Sequence, residues 1–205
     1  MQSETARIEA FSDGVFAIAI TLLILEIKVP APKQGNLAAA LLRQWPSYVA
    51  FLLSFVYIGV MWINHHRMFT LIRRSTDALL VLNLLLLLGV TVVPFPTAVL
   101  AAHLGGPGEQ TAALVYNATF VVLAIFFNLL WRYAIKHRLV HEQAASNAAQ
   151  IAAQYMLGPL MYLACLVIAL FNVRAGVAAN AALALFFALP PTVMKKAGMN
   201  RFTDQ

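Results

Sequence analysis

Residues 8–29 read IEAFSDGVFAIAITLLILEIKV, and that stretch decides the fold. A helix crosses the hydrocarbon core of a bilayer with about 20 mostly apolar residues, and this run has the length. A cleavable secretory signal has a basic start, a shorter apolar core and a small-residue cleavage site. Here Gln2, Ser3, Glu4, Arg7 and Glu9 come first, and the apolar run continues past Leu25 into Lys28-Val29-Pro30. The stretch reads as a retained spanning helix. The chain around it agrees: its 205 residues are 61% hydrophobic and 11% charged. A soluble domain carries about 25% charged residues, so lipid is the solvent this composition fits.

Five more apolar runs follow, at about residues 45–71, 78–102, 111–135, 151–171 and 176–194. Pro30-Ala31-Pro32-Lys33-Gln34-Gly35 and Gly105-Gly106-Pro107-Gly108 read as loops. Arg73-Arg74-Ser75-Thr76-Asp77 and Asn172-Val173-Arg174 read as short turns, and residues 136–147 form a polar connection. Pro46 suits a helix's first turn, whereas Pro94 and Pro96 should kink or break the third run. The expected fold is all-α: a polytopic membrane protein with six transmembrane helices. Residues 1–194 make a single transmembrane domain and residues 195–205 a polar cytoplasmic tail.

Charge sets the orientation. With the N-terminus inside, Arg7, Arg67, Arg73, Arg74, Arg132, Lys136, Arg138, Lys195, Lys196 and Arg201 face the cytoplasm. Lys28, Lys33, Arg43 and Arg174 face outside. This asymmetry puts both termini in the cytoplasm by the positive-inside rule. The net charge of +6 is thereby accounted for without nucleic acid, since no basic cluster interleaved with aromatics occurs. The single cysteine, Cys165, sits in an apolar run; it allows no internal disulfide and suggests no metal cluster.

The first helix carries charge that simple anchoring does not need: Arg7, Glu9 and Asp13 at one end and Glu26 near the other. Asp13 is followed at once by Gly14-Val15-Phe16-Ala17-Ile18, which draws it inward. An ionised carboxylate out of water needs a cation or donors. Arg7 is one candidate, and Asn64-His65-His66-Arg67 on the second helix supply others. Adjacent histidines on a helix point about 100° apart, and neither HExxH nor CxxC accompanies them, so hydrogen bonding is the reading here rather than metal. Ile18, Leu22 and Leu25 fall at i, i+4 and i+7 and share one face. Thr21 lies beside that stripe, and Asp13 points well away from it, which would turn it to the second helix if the stripe faced an axis between copies. Several copies gathered around an axis would stack the stripe into apolar rings, which can constrict or gate a pore by dewetting. The same stripe also suits ordinary helix packing, and periodicity does not choose between them.

Arg7-Ile8-Glu9-Ala10-Phe11-Ser12-Asp13 reads as RxxxFSD, followed by Gly14-Val15-Phe16-Ala17-Ile18-Ala19-Ile20-Thr21-Leu22-Leu23. This resembles the first-helix signature of the bacterial transmembrane protein 175 family of potassium channels. The likeness is dense over residues 7–30; the length, the six runs and the histidine-rich end of the second helix agree with it. The resemblance implies a homotetramer whose first helices line a central pore. It places the narrow apolar constriction at Ile18, with further rings at Leu22 and Leu25, and a residue that sets ion preference at Thr21. It also implies a structural network in which Arg7 and Asp13, with Phe11 and Ser12 of the motif, meet His65 or His66, supported by Trp62 and Asn64. The partners implied are potassium ions, lipid and other copies of the chain in the cell membrane. No cofactor is implied, and no metal beyond transient potassium.

Potassium filters built from backbone carbonyls use a TVGYG loop, and Thr91-Val92-Val93-Pro94 departs from it at the third residue. Selection must then rest on partial dehydration at a narrow apolar ring. Potassium sheds water more readily than sodium, so the expected function is a passive, weakly to moderately potassium-selective cation channel. The alternative is a secondary transporter with Asp13 in cation coupling, for which Pro94 and Pro96 offer one broken helix. An enzyme is not indicated, because no nucleophile elbow, P-loop or metal signature occurs.

Overall fold

The computed structural model describes residues 5–30, 36–141 and 145–188, with side chains in the last segment from residue 157 onward. The chain is helical: α1 Ala6–Leu22, α2 Leu37–Arg43, α3 Trp45–Phe69, α4 Asp77–Val92, α5 Pro94–His103, α6 Glu109–Lys136, α7 Ala145–Phe171 and α8 Val173–Ala188. A 3₁₀ turn, Leu23–Glu26, continues α1. Four stretches are long and apolar enough to cross a membrane: Ala6–Glu26, Trp45–Phe69, Asp77–His103 and Glu109–Lys136. Val173–Ala188 is apolar but shorter, and α7 is apolar over Leu157–Phe171, the part whose side chains are described. Six crossings are therefore not established by helix length.

The boundaries have local causes. Pro46 opens α3 and Pro94 opens α5, where a missing N–H leaves no bond unmade. The third run accordingly breaks between Val92 and Pro94. Thr76 caps α4 by accepting from the Leu79 amide at 3.2 Å, and Asp77 sits in that first turn. Gly108, at φ 86°, turns the chain into α6 in a conformation suited to glycine. The first helical run ends at Glu26 rather than Val29, because Ile27 is already extended. The expected turn at residues 172–174 shrinks to Asn172, whose side chain accepts from the Ala175 amide at 3.0 Å and caps α8. The short helix α2 was not expected; Asn36 caps it through the Ala39 amide at 2.9 Å. Pro190, Pro191, the tail at residues 195–205 and the loop at residues 31–35 lie outside the described residues.

Helix α6 is the centre of the bundle. It packs against α4, α5, α7 and α8, while α1 packs on α3 and α4. Tyr116, Leu130 and Trp131 of α6 are buried, with Phe69 of α3 and Leu86 of α4 in the same core. Helices in lipid gain little from excluding water, so close packing and interhelical hydrogen bonds decide their register. Both are present. At the α7–α8 hairpin a Cβ on Gly176 would collide with Ala169, whose Cα would lie only 2.6 Å away. In the bundle centre the Ser54 hydroxyl pairs with those of Thr97 at 2.7 Å and Tyr116 at 3.0 Å. Beside it, the Tyr57 hydroxyl donates to Asn180 Oδ1, and Asn180 Nδ2 donates to Asn117 Oδ1 at 2.6 Å. These residues come from α3, α5, α6 and α8 and fix four helices against one another.

Candidate functional site

Helix α1 has two unlike faces. Ser12, Phe16 and Ala19, then Leu23 in the 3₁₀ turn, are buried at i, i+4, i+7 and i+11. On the opposite side Ile18 is 60% exposed, Leu22 43% and Leu25 59%. The 3₁₀ turn matters here, because side chains at i and i+3 eclipse in that geometry. It brings Leu25 into line with Leu22. Thr21 is exposed on the flank of this stripe. Its hydroxyl donates to the Ile18 carbonyl at 2.9 Å, which occupies its one hydrogen and leaves the oxygen lone pairs outward as acceptors.

The buried face is held by a directed chain of hydrogen bonds. His65 Nε2 donates to Asn83 Oδ1 at 2.9 Å, an amide oxygen that can only accept. Asn83 Nδ2 donates to Ser12 Oγ at 3.0 Å, and Ser12 donates to the Ile8 carbonyl at 2.8 Å. One residue each from α3, α4 and α1 thus fixes the rotation of α1. The His65 ring lies between Phe69, stacked at 4.3 Å, and Phe16, tilted at 5.4 Å.

Asp13 turns toward the second long helix, as its place on the wheel predicts, but with another partner. Trp62 Nε1 donates to Asp13 Oδ1 at 2.8 Å, and His66 stacks on Trp62 with centroids 6.3 Å apart. Asp13 is exposed on the single chain rather than drawn inward. Arg7 is also exposed, and among the described residues no ion pair joins it to Asp13. The expected Arg7–Asp13–histidine cluster is therefore two separate contacts: His65 meets Ser12 through Asn83, and His66 reaches Asp13 only by stacking on Trp62. The physical reason is rotational, because Ser12 and Asp13 point about 100° apart. Phe11 is 58% exposed and takes no part in either contact.

Asn64 belongs elsewhere. Its Nδ2 donates to the Phe187 carbonyl at 3.2 Å, and Arg67 donates to Asn64 Oδ1 at 3.4 Å and to the Ala188 carbonyl at 3.2 Å. The pair ties the end of α3 to the end of α8, where a cation suits the free carbonyls. Sequence reasoning missed Asn83 and this use of Arg67. A lone asparagine inside the leucine run of α4 was the available signal, since a polar group at that depth needs a partner. Among the described residues no group of three or more His, Cys, Asp or Glu side chains could hold a metal ion.

A sequence profile described as endosomal/lysosomal potassium channel TMEM175 matches residues 7–94. A potassium channel of Chamaesiphon minutus is 50% identical over 193 residues, covering 92% of this chain and 95% of that one. A potassium channel of Streptomyces collinus is 44% identical over 189 residues, covering 90% of this chain and 92% of that one. The crystal structure of a lysosomal potassium-selective channel TMEM175 homolog from Chamaesiphon minutus matches with a TM-score of 0.85 at 49% identity, covering 93% of this chain and 99% of that chain. These relatives are named as channels, which weighs against a transporter with Asp13 in cation coupling and against an enzyme. Similar to such relatives along nearly its whole length, this multi-pass membrane protein belongs to the TMEM175 family of potassium channels.

Proposed function

We propose that four copies of this chain enclose a passive, potassium-permeable pore in the cell membrane, lined by the exposed stripe of α1. The observation that carries this reading is the pairing of the two faces of α1. A face clamped by Ser12, Phe16, Ala19 and Leu23 leaves Ile18, Leu22 and Leu25 outward in one line with Thr21 beside them. Around a symmetry axis these become stacked apolar rings, with Ile18 as the narrow constriction. The exposed Asp13 supports the same orientation. A carboxylate facing lipid is costly, whereas water or a neighbouring copy would solvate it.

In this reading each copy spans the membrane six times, with α4 and α5 together making one broken span. Helix α7 has 27 residues, about 40 Å at 1.5 Å per residue, which is ample for a crossing. Both termini lie in the cytoplasm, residues 1–194 act as one unit, and residues 195–205 are a cytoplasmic tail. Selectivity for potassium over sodium is weak to moderate. It rests on partial dehydration at the Ile18 ring, with the outward lone pairs of Thr21 offsetting part of that cost.

Planar-bilayer recording of purified protein under opposed potassium and sodium tests this. The Ile18→Asn variant, which hydrates the ring, should change conductance or potassium preference while assembly stays intact. Wild-type currents from a well-assembled variant would mean that the pore lies elsewhere.

A further inference from the structure

Along its last turns α6 carries polar groups outside the clusters described above: Asn128 is buried, Arg132 and Lys136 are exposed. Asn128, Arg132 and Lys136 recur at i, i+4 and i+8 and so share one side of its last turns. Beside them, between α6 and α7, runs a groove of about 440 Å³, within the roughly 300–1,000 Å³ of ligand clefts. Its apolar wall is Ile125 and Leu129 of α6 with Leu157 and Leu160 of α7, and its polar end is Asn128 and Arg132.

The groove has a cause in the sequence. At Gly158, where α7 passes α6 and α8, a Cβ would make ordinary contacts with Phe187 at 3.7 Å and Ala124 at 4.0 Å. Pro159, next in the chain, lies inside α7 and forms part of the groove wall. A proline there removes one rung of the helix ladder and pushes the helix off its axis. The leucines are left outward: Leu129 is 46% exposed and Leu160 63%.

The charge is one-sided. Among the described residues no acidic side chain lines the groove, and the Arg132 guanidinium has neither a hydrogen bond nor an ion pair. A cation near hydrocarbon depth without a counter-charge is costly. More positive charge gathers just past the end of α6. The isolated bridge Ile72–Val140, with Arg73 N donating to the Leu139 carbonyl at 2.7 Å, brings Arg73 and Arg74 beside Arg138. Among the described residues Asp77 opposes them in the α3–α4 connection.

We propose that this groove binds an anionic phospholipid, with an acyl chain along the leucines and the phosphate held by Arg132 and Lys136. Basic pockets between transmembrane helices on the cytoplasmic side suit such headgroups. The assignment to the cytoplasmic leaflet rests on the topology given above; the binding itself does not.

Native mass spectrometry of the detergent-purified protein with phosphatidylglycerol and phosphatidylcholine of matched chains tests it. The wild type should retain phosphatidylglycerol preferentially. Arg132→Ala should lower that retention about fivefold, Arg132→Lys should keep most of it, and Leu160→Trp, which fills the groove, should lower retention of both lipids. Equal retention of the two lipids by the wild type, or unchanged retention in Arg132→Ala, overturns the site. So does displacement of the lipid by millimolar inorganic phosphate, which marks a headgroup site without an acyl groove. A loss of oligomeric mass in Leu160→Trp overturns it too, because the groove would then be a contact between copies. Lipid retention is read without ion flux, so its failure leaves the pore assignment standing, and absent current leaves this site standing.

Discussion

The cluster behind α1 and the cluster in the bundle centre are both buried and polar, yet they are built differently. Behind α1 three residues form a single file, His65 to Asn83 to Ser12, with one bond between neighbours. In the centre Ser54 serves both Thr97 and Tyr116, while Asn180 joins Tyr57 to Asn117, so four helices share six side chains. The single file sets the rotation of one helix and has no redundancy. The central cluster sets the register of the scaffold against which that helix rests. In lipid, where apolar contact discriminates little between registers, such clusters give each helix a preferred angle. Stability should therefore depend most on the centre, and conduction most on the file behind α1.

The largest test of that division is Asn180→Ala. It strands two buried partners, the Tyr57 hydroxyl and the Asn117 carbonyl oxygen, each at about 1–3 kcal/mol. Interhelical bonds in membranes fall at the lower end of such ranges, so a loss of about 2–4 kcal/mol is expected. Unfolding in detergent by titrated denaturant reads it. A loss no greater than that of Asn83→Ala would remove the distinction between scaffold and file.

Asn83→Ala comes next. It leaves the His65 N–H without an acceptor, while Ser12 keeps its own bond to the Ile8 carbonyl. One stranded donor implies about 1–2 kcal/mol. The sharper readout is functional, since α1 loses the link that fixes its rotation. Potassium conductance should change more than the stability loss alone would suggest, and Asn180→Ala should show the reverse balance. Identical profiles for the two variants would mean that the clusters act as one.

How much of this was legible beforehand follows from the same contrast. Residues of α1 were legible because charge, a small motif and an apolar stripe lie together in one run. Ile18, Leu22 and Leu25 could be placed on one face, and Asp13 away from it, from a period of about 3.6 alone. Asn83, Asn117 and Asn180 are single polar residues in three separate apolar runs, and nothing local says which helix each will meet. Their pairing is set by tertiary rotation, which periodicity does not carry. Asp13 is exposed on the single chain for a related reason. The apolar residues that follow it in sequence lie on a helix whose nearby turn remains open on the single chain, so neighbours along the chain did not report neighbours in space.

The smallest expected effect belongs to Asp13→Ala. In the sequence Asp13 looked like a buried anion whose loss would strand a partner; in the structure it is exposed and accepts one bond from Trp62. A partly solvated bond of that kind is worth about 0.5–1 kcal/mol, because water can replace the lost acceptor. Trp62→Phe should match it, as both remove the same bond. Thermal unfolding of the two variants beside Asn83→Ala makes the comparison, with oligomeric mass measured on the same samples. If Asp13→Ala loses more than Asn83→Ala and the oligomer falls apart while Trp62→Phe stays intact, the carboxylate is held by something Trp62 does not supply. The open side of Asp13 and the exposed Arg7 would then face each other across two copies, and the cluster behind α1 would no longer be confined to one chain.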